Sequence, residues 1–170
     1  GLQLAALSLQ GRPAEDSAAL VATFAGRHHF VVDYLAEAFD LESATIVMGN
    51  GSTELITWID LLLAGNRVAT PVPTFGPWTD HPTGLGKAVC TWLLQPEFDF
   101  ELNVAAFVRF VRDVRADTVV ICNPNNPTAV AEPRAALREF ILSLPPEVTC
   151  IVDEAYMDFA DDPAVQDDRD

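Results

Sequence analysis

From residue 67 to residue 153 the chain alternates short apolar runs, too brief to be helices, with polar or proline-rich turns and stretches of helical spacing. Two runs are plainest. Val119-Val120-Ile121 leads into Asn123-Pro124-Asn125-Asn126-Pro127-Thr128, and Cys150-Ile151-Val152 leads into Asp153-Glu154-Ala155-Tyr156. Strands separated by helices imply a mostly parallel sheet with right-handed crossovers, an α/β architecture with helices on both faces. In open sheets of this kind ligands bind at the carboxyl ends of the strands. The pattern therefore predicts a fold and also the edge on which an amide, a carboxylate and a phenol converge.

Five strands are expected, at residues 46–48, 67–70, 87–93, 118–121 and 149–152. Helical spacing marks residues 31–39, 53–63, 104–115 and 134–142. The second of these stops at Gly65, the usual residue beyond a helix end, and Pro133 sits near the first turn of the last. In the third, Val104, Phe107, Val108 and Val111 fall on one face and Arg109, Arg112 and Arg115 on others, the signature of a surface helix packed on a sheet. Pro71, Pro73 and Pro77 predict a loop after the second strand.

Composition narrows the function classes. With 170 residues and 49% hydrophobic content the chain reads as globular, and its formal net charge of -15 argues against binding a nucleic-acid backbone, which needs clustered Lys and Arg. The apolar stretch at 56–63 is interrupted by Asp60 and ends at Gly65, so no membrane span is expected. Residues 1–6 lack a basic leader, which makes a cytoplasmic setting the default expectation. Cys90, Cys122 and Cys150 lack Cys-x-x-Cys spacing and are expected as free thiols. Residues 161–170 read as a solvated acidic tail, residues 1–29 as an N-terminal segment without assignment, and no metal site is expected.

The strand-end motifs carry definite chemistry. Gly51, Ser52 and Thr53 open a helix, where unpaired N–H groups and the helix dipole favour an anion such as phosphate; an ordinary N-cap by Ser52 or Thr53 is the plain alternative. Gly49 and Gly51 resemble the start of a dinucleotide fingerprint, but Glu54 stands where its third glycine belongs. Phe75, with Trp78 as a second candidate, offers either a flat face to an aromatic ligand or simple packing. Asp153 ends an apolar strand, so its carboxylate needs a partner: a protonated heterocyclic nitrogen or the turn that it caps.

These motifs together carry a family resemblance. Asn50-Gly51-Ser52-Thr53-Glu54-Leu55-Ile56, Pro73-Thr74-Phe75, Asn123 to Thr128 and Val152-Asp153-Glu154-Ala155-Tyr156-Met157-Asp158-Phe159 occur in the order and spacing of fold-type I pyridoxal phosphate enzymes. The chain resembles part of their large domain over residues 30–160, nearest the histidinol-phosphate aminotransferase branch, with threonine-phosphate decarboxylase a neighbour. The resemblance implies pyridoxal 5′-phosphate as cofactor, an amino acid or amino-acid phosphate as substrate, and a homodimer.

Carried onto this sequence, the resemblance assigns the cofactor phosphate to Gly51, Ser52 and Thr53, ring stacking to Phe75, the phenolic oxygen to Asn126 and Tyr156, and the pyridinium nitrogen to Asp153. Two departures accompany it. Ala129 stands where the family has glycine, and the Schiff-base lysine is absent, because the only lysine, Lys87, lies at the start of an expected strand and away from the carboxyl edge. No catalytic residue is therefore assigned, and the substrate-carboxylate arginine of the family is missing too. Three expectations follow: the cofactor-binding part of an aminotransferase, the same part of a phosphorylated-amino-acid decarboxylase, or a non-catalytic binding domain. The acidic stretch after Phe159 tilts the reading toward a true chain end rather than a fragment.

Overall fold

The computed structural model describes residues 31–38 and 40–160. The expectations for residues 1–29, Phe39 and 161–170 lie outside them. The described residues up to Leu55 belong to one compact unit and those from Ile56 onward to a second.

In the first unit residues 31–38 form helix α1 and Ser43–Thr45 a 3-10 turn. The strand expected at 46–48 does not form. Ile46 has extended backbone angles, but Val47 is 67% exposed and no neighbouring strand supplies the ladder that an extended segment needs among the described residues. Helix α2, Ser52–Leu62, begins in this unit and has its residues from Ile56 onward in the second.

The second unit is a four-stranded, wholly parallel sheet of β1 (Arg67–Val72), β2 (Ala88–Leu93), β3 (Thr118–Cys122) and β4 (Thr149–Asp153), in the order β2-β1-β3-β4. Helices α3 (Pro77–Gly84), α4 (Val104–Asp113) and α5 (Arg134–Ser143) make the crossovers. The helix α3 replaces the end of the expected proline loop. Pro71 lies within β1, while Pro77 takes the first helical turn, where a missing N–H costs no hydrogen bond.

Strand alternation divides the core into two clusters. Ala69, Val119 and Ile121 face Phe107, Val108 and Val111 of α4 and Leu137 and Phe140 of α5. Val68, Val120 and Cys122 face the other way, toward Ile56 of α2 and Trp78 of α3. The sheet therefore has helices on both faces, as the alternation of runs implies. An aromatic chain, Trp92 to Phe110 at 5.3 Å, Phe110 to Phe107 at 6.0 Å and Phe107 to Phe140 at 5.6 Å, fills the first cluster. The positions 107, 108 and 111 are those that the helical spacing placed inward.

The seam between β1 and β3 is closed at one end and open at the other. At the amino edge, the Asp117 carboxylate accepts the N–H groups of Asn66 (2.9 Å) and Arg67 (3.1 Å), and the Thr118 hydroxyl accepts that of Gly65 (2.8 Å). A Cβ on Gly65 would collide with the Asp117 carboxylate. Pairing of β1 with β3 then stops after Ala69 and Val119, whereas β1 stays paired with β2 as far as Val72 and Leu93. Arg67 accepts from Asp117 on the β3 side and Val72 from Leu94 on the β2 side, so by alternation Pro71 turns its donorless nitrogen toward β3. The ladder cannot continue there, and the strands part at their carboxyl ends.

Lys87 lies at the opposite edge. Its ammonium donates to the Asp60 carbonyl and, at 2.7 Å, to the Ala64 carbonyl at the end of α2, a favourable place for a cation beside a helix C-terminus. Beside it the Asp60 carboxylate is 2% exposed, and its Oδ2 has no hydrogen-bond partner among the described residues. Burial raises the Asp60 pKa above the usual carboxylate range, opposed more weakly by Lys87 and His81.

A raised carboxyl pKa means that the folded state keeps a proton that the unfolded chain has released, so this contribution to stability falls as pH rises from about 4 through the raised value. Asp60→Asn removes the effect. In urea unfolding at a series of pH values, the variant gains on the native chain from about pH 4 toward neutrality; parallel pH dependences would contradict the assignment.

Candidate functional site

The order β2-β1-β3-β4 sends the chain from β1 first to one side and then to the other, so its topological switch point lies between β1 and β3. Crevices form outside the carboxyl ends of strands at such a point. Here the crevice is where Pro71 ends the ladder.

On the face shared with α2 and α3, four side chains meet. Asp153 ends β4 opposite Cys122 of β3, and its Oδ2 accepts the Trp78 indole N–H at 2.7 Å and lies 3.7 Å from the Cys122 sulfur. The Thr74 hydroxyl donates to that sulfur at 3.3 Å. Asp153 Oδ1 accepts the Ala155 N–H at 3.0 Å and so caps the turn after β4. The carboxylate is thus half-buried and well partnered by the protein itself, and the capping role is realised. Phe75 is half-buried and packs against the cluster containing Trp78 and Cys122.

Trp78 does not serve as a second stacking face. It is 3% exposed, its ring is enclosed by the core, and its N–H is committed to Asp153. Spacing could not reveal this contact, because it joins residues 75 positions apart.

Asn126 is half-buried and Tyr156 is 49% exposed, and neither side chain makes a hydrogen bond among the described residues. The rest of their loop is tied down. Asn125 donates to the Pro73 carbonyl (3.0 Å) and the Thr128 hydroxyl (2.9 Å), which fastens the turn after β3 to the turn after β1. Asn123, 1% exposed, closes a two-way pair with the backbone of Glu132 at 2.7 and 3.1 Å. Ala129 has φ +58, the left-handed conformation that its place in the motif requires.

A cleft lined by Pro71, Thr74, Ile121, Asn123, Asn125 and Glu132 opens at the same strand ends. Ile121 points to the α4/α5 side and Cys122 to the other. Cys122 and Thr74 line the cleft as well as Ile121, so it borders the group of side chains around Asp153.

Gly51, Ser52 and Thr53 belong to the first unit. Gly51 has φ +88, which only glycine adopts readily, and Ser52 begins α2. Glu54, in the first turn, accepts the backbone N–H of Asn50 at 2.5 Å and its side-chain amide at 2.9 Å. That pairing explains a carboxylate where a dinucleotide fingerprint would have glycine: Glu54 orders the turn before the helix.

An open parallel α/β sheet with helices on both faces and a strand order that reverses between β1 and β3 is of the doubly wound class. The sequence profile described as aminotransferase class I and II matches residues 14–169, and the chain belongs to that family. A histidinol-phosphate aminotransferase of Limosilactobacillus fermentum is 36% identical over 124 residues, 70% of this chain and 33% of the relative. A decarboxylase from Sulfurospirillum multivorans aligns in structure with TM-score 0.72 and 27% identity, covering 81% of this chain and 39% of that one. The histidinol-phosphate aminotransferase of Sinorhizobium meliloti, solved with pyridoxal 5′-phosphate, shares the fold with TM-score 0.73 and 24% identity, over 90% of this chain and 43% of that one. The chain spans 33% of the length of the first curated relatives it matches.

The three cysteines are free thiols. Burial pushes the Cys122 and Cys150 thiols up to about 11, and for Cys122 the Thr74 hydrogen bond opposes the shift while Asp153 adds to it. Thiolate is the reactive form. Iodoacetamide at about pH 7.5 is expected to modify Cys122 and Cys150 at least about tenfold more slowly in the folded chain than in urea, by peptide mass spectrometry. Equal rates would contradict the burial argument.

Proposed function

We propose that this chain is the pyridoxal 5′-phosphate-binding part of an aminotransferase resembling the histidinol-phosphate aminotransferases, one that acts on an amino acid or amino-acid phosphate. The observation that carries the reading is a set of polar groups following the carboxyl ends of β3 and β4. The Asn126 amide and the Tyr156 hydroxyl have no partners among the described residues, while Asp153 is held half-buried at a strand end. These groups fit the polar rim of a pyridine ring: donors for its phenolic oxygen and a carboxylate for its nitrogen.

In this reading Asp153 holds a proton on the ring nitrogen, Asn126 and Tyr156 donate to the phenolic oxygen, Phe75 covers the ring, and Gly51, Ser52 and Thr53 receive the phosphate at the start of α2. When bound, the cofactor supplies an electron sink for bonds broken at the substrate α-carbon. Lys87 takes no part, because its ammonium is spent on the carbonyls at the end of α2. Transamination therefore depends on a lysine supplied outside this sheet, and the reading places the full activity in a longer homodimeric polypeptide of the cytoplasm. Decarboxylation of a phosphorylated amino acid is the second reading, favoured by the likeness to the Sulfurospirillum multivorans decarboxylase.

Addition of pyridoxal 5′-phosphate to the purified chain is expected to give saturable binding by visible absorption, weakened about tenfold or more by Asn126→Ala or Asp153→Ala. After borohydride, peptide mapping is expected to find no adduct on Lys87. Absence of saturable binding would contradict the reading, and a stoichiometric adduct on Lys87 would overturn the role given to that residue.

A further inference from the structure

We propose that Trp78 is a positioning residue for Asp153: with Cys122 it occupies Oδ2 and leaves Oδ1 as the acceptor for the cofactor's ring nitrogen. The inference rests on the cofactor reading above and adds to it a residue with no assigned role. An ionised carboxylate offers about four lone-pair sites, two on each oxygen. Oδ2 has two donors, the Trp78 indole at 2.7 Å and the Cys122 thiol at 3.7 Å. Oδ1 has one, the Ala155 N–H at 3.0 Å. One site stays open, and it is on Oδ1.

The donors suit this task. Indole N–H is donor-only, so it cannot reverse direction or compete for a proton. Trp78 is held in α3 by contacts with the cluster of Ile56, Val68, Val120 and Cys122, and at 3% exposure its ring has no freedom to follow the carboxylate. Ala155 fixes the other oxygen from the turn after β4, so rotation of the carboxylate about its own axis breaks contacts at both ends. Cys122 is the inner link of a chain, Thr74 hydroxyl to sulfur and sulfur to Asp153, in which each bond polarises the next. Burial keeps that sulfur protonated and therefore a donor.

The dependence is mutual. Asp153 is the partner that lets an indole N–H be buried at the strand end, since a buried donor without an acceptor is costly. Asp153 thus has duties toward both the fold and the ligand, and Trp78, by holding Oδ2, leaves the open site on Oδ1 beside the Ala155 contact.

The test uses the full chain and pyridoxal 5′-phosphate. In the native chain the Trp78 indole proton resonance, identified by its loss in Trp78→Phe, is expected downfield in the 1H–15N spectrum, to move upfield in Asp153→Asn, and to stay downfield when the cofactor is added. Trp78→Phe, shown to be folded by its melting curve, is expected to bind the cofactor about tenfold more weakly and to lose induced visible circular dichroism, the sign of a ring held in one orientation. An upfield shift of the indole proton on cofactor addition would overturn the inference, because indole and ring nitrogen would then compete for one oxygen. Equal or tighter binding by Trp78→Phe would overturn it as well. Failure of the native chain to bind, with the indole proton downfield and sensitive to Asp153→Asn, would instead refute the cofactor reading while leaving the Trp78–Asp153 clamp standing.

Discussion

The seam between β1 and β3 governs the rest of the molecule. Asp117 and Thr118 gather the backbone donors of Gly65, Asn66 and Arg67 at its amino end, so three segments start in fixed register. At its far end Pro71 presents no donor to β3, and pairing lapses after Ala69 and Val119. One end closed by a carboxylate and the other opened by a proline give a sheet that diverges where the chain direction switches. The loops after β1 and β3 then meet over the opening, joined by Asn125 and Pro73.

Strand alternation turns that opening into two distinct faces. Val119 and Ile121 commit one side of β3 to the aromatic layer of Phe107 and Phe140, while Val120 and Cys122 commit the other to Trp78 and Ile56. Asp153 follows Val152 and Ile151 in the same alternation, which turns it toward Trp78 and away from the α4/α5 core. A one-residue slip of β4 would send the carboxylate to the opposite side. Register is therefore what brings a carboxylate, an indole, a thiol and a hydroxyl to one spot. Lys87, before β2, is kept at the other edge by the end of α2.

Much of this was legible in the sequence because it depends on local pattern. The runs at 118–122 and 149–153 are short, apolar and bounded by turn residues, and the inward positions 107, 108 and 111 follow from helical spacing alone. What escaped depends on distant partners. Residues 46–48 have strand-like composition but no neighbour to pair with among the described residues, and Pro77 reads as a loop residue until its place in a first helical turn is seen. Trp78 was legible as an aromatic near the site but not as a hydrogen-bond donor to a residue on another strand. Glu54 likewise shows its purpose only through its contact with Asn50.

In the proposed function Asp153 meets the ring nitrogen of pyridoxal 5′-phosphate. The most direct measurement is the 15N chemical shift of the pyridine nitrogen in labelled cofactor bound to the full chain. The shift of a protonated ring nitrogen is expected, persisting at pH values where the free cofactor has lost that proton and lost in Asp153→Ala. A neutral ring nitrogen in the native chain, or a protonated one that survives removal of the carboxylate, would contradict it.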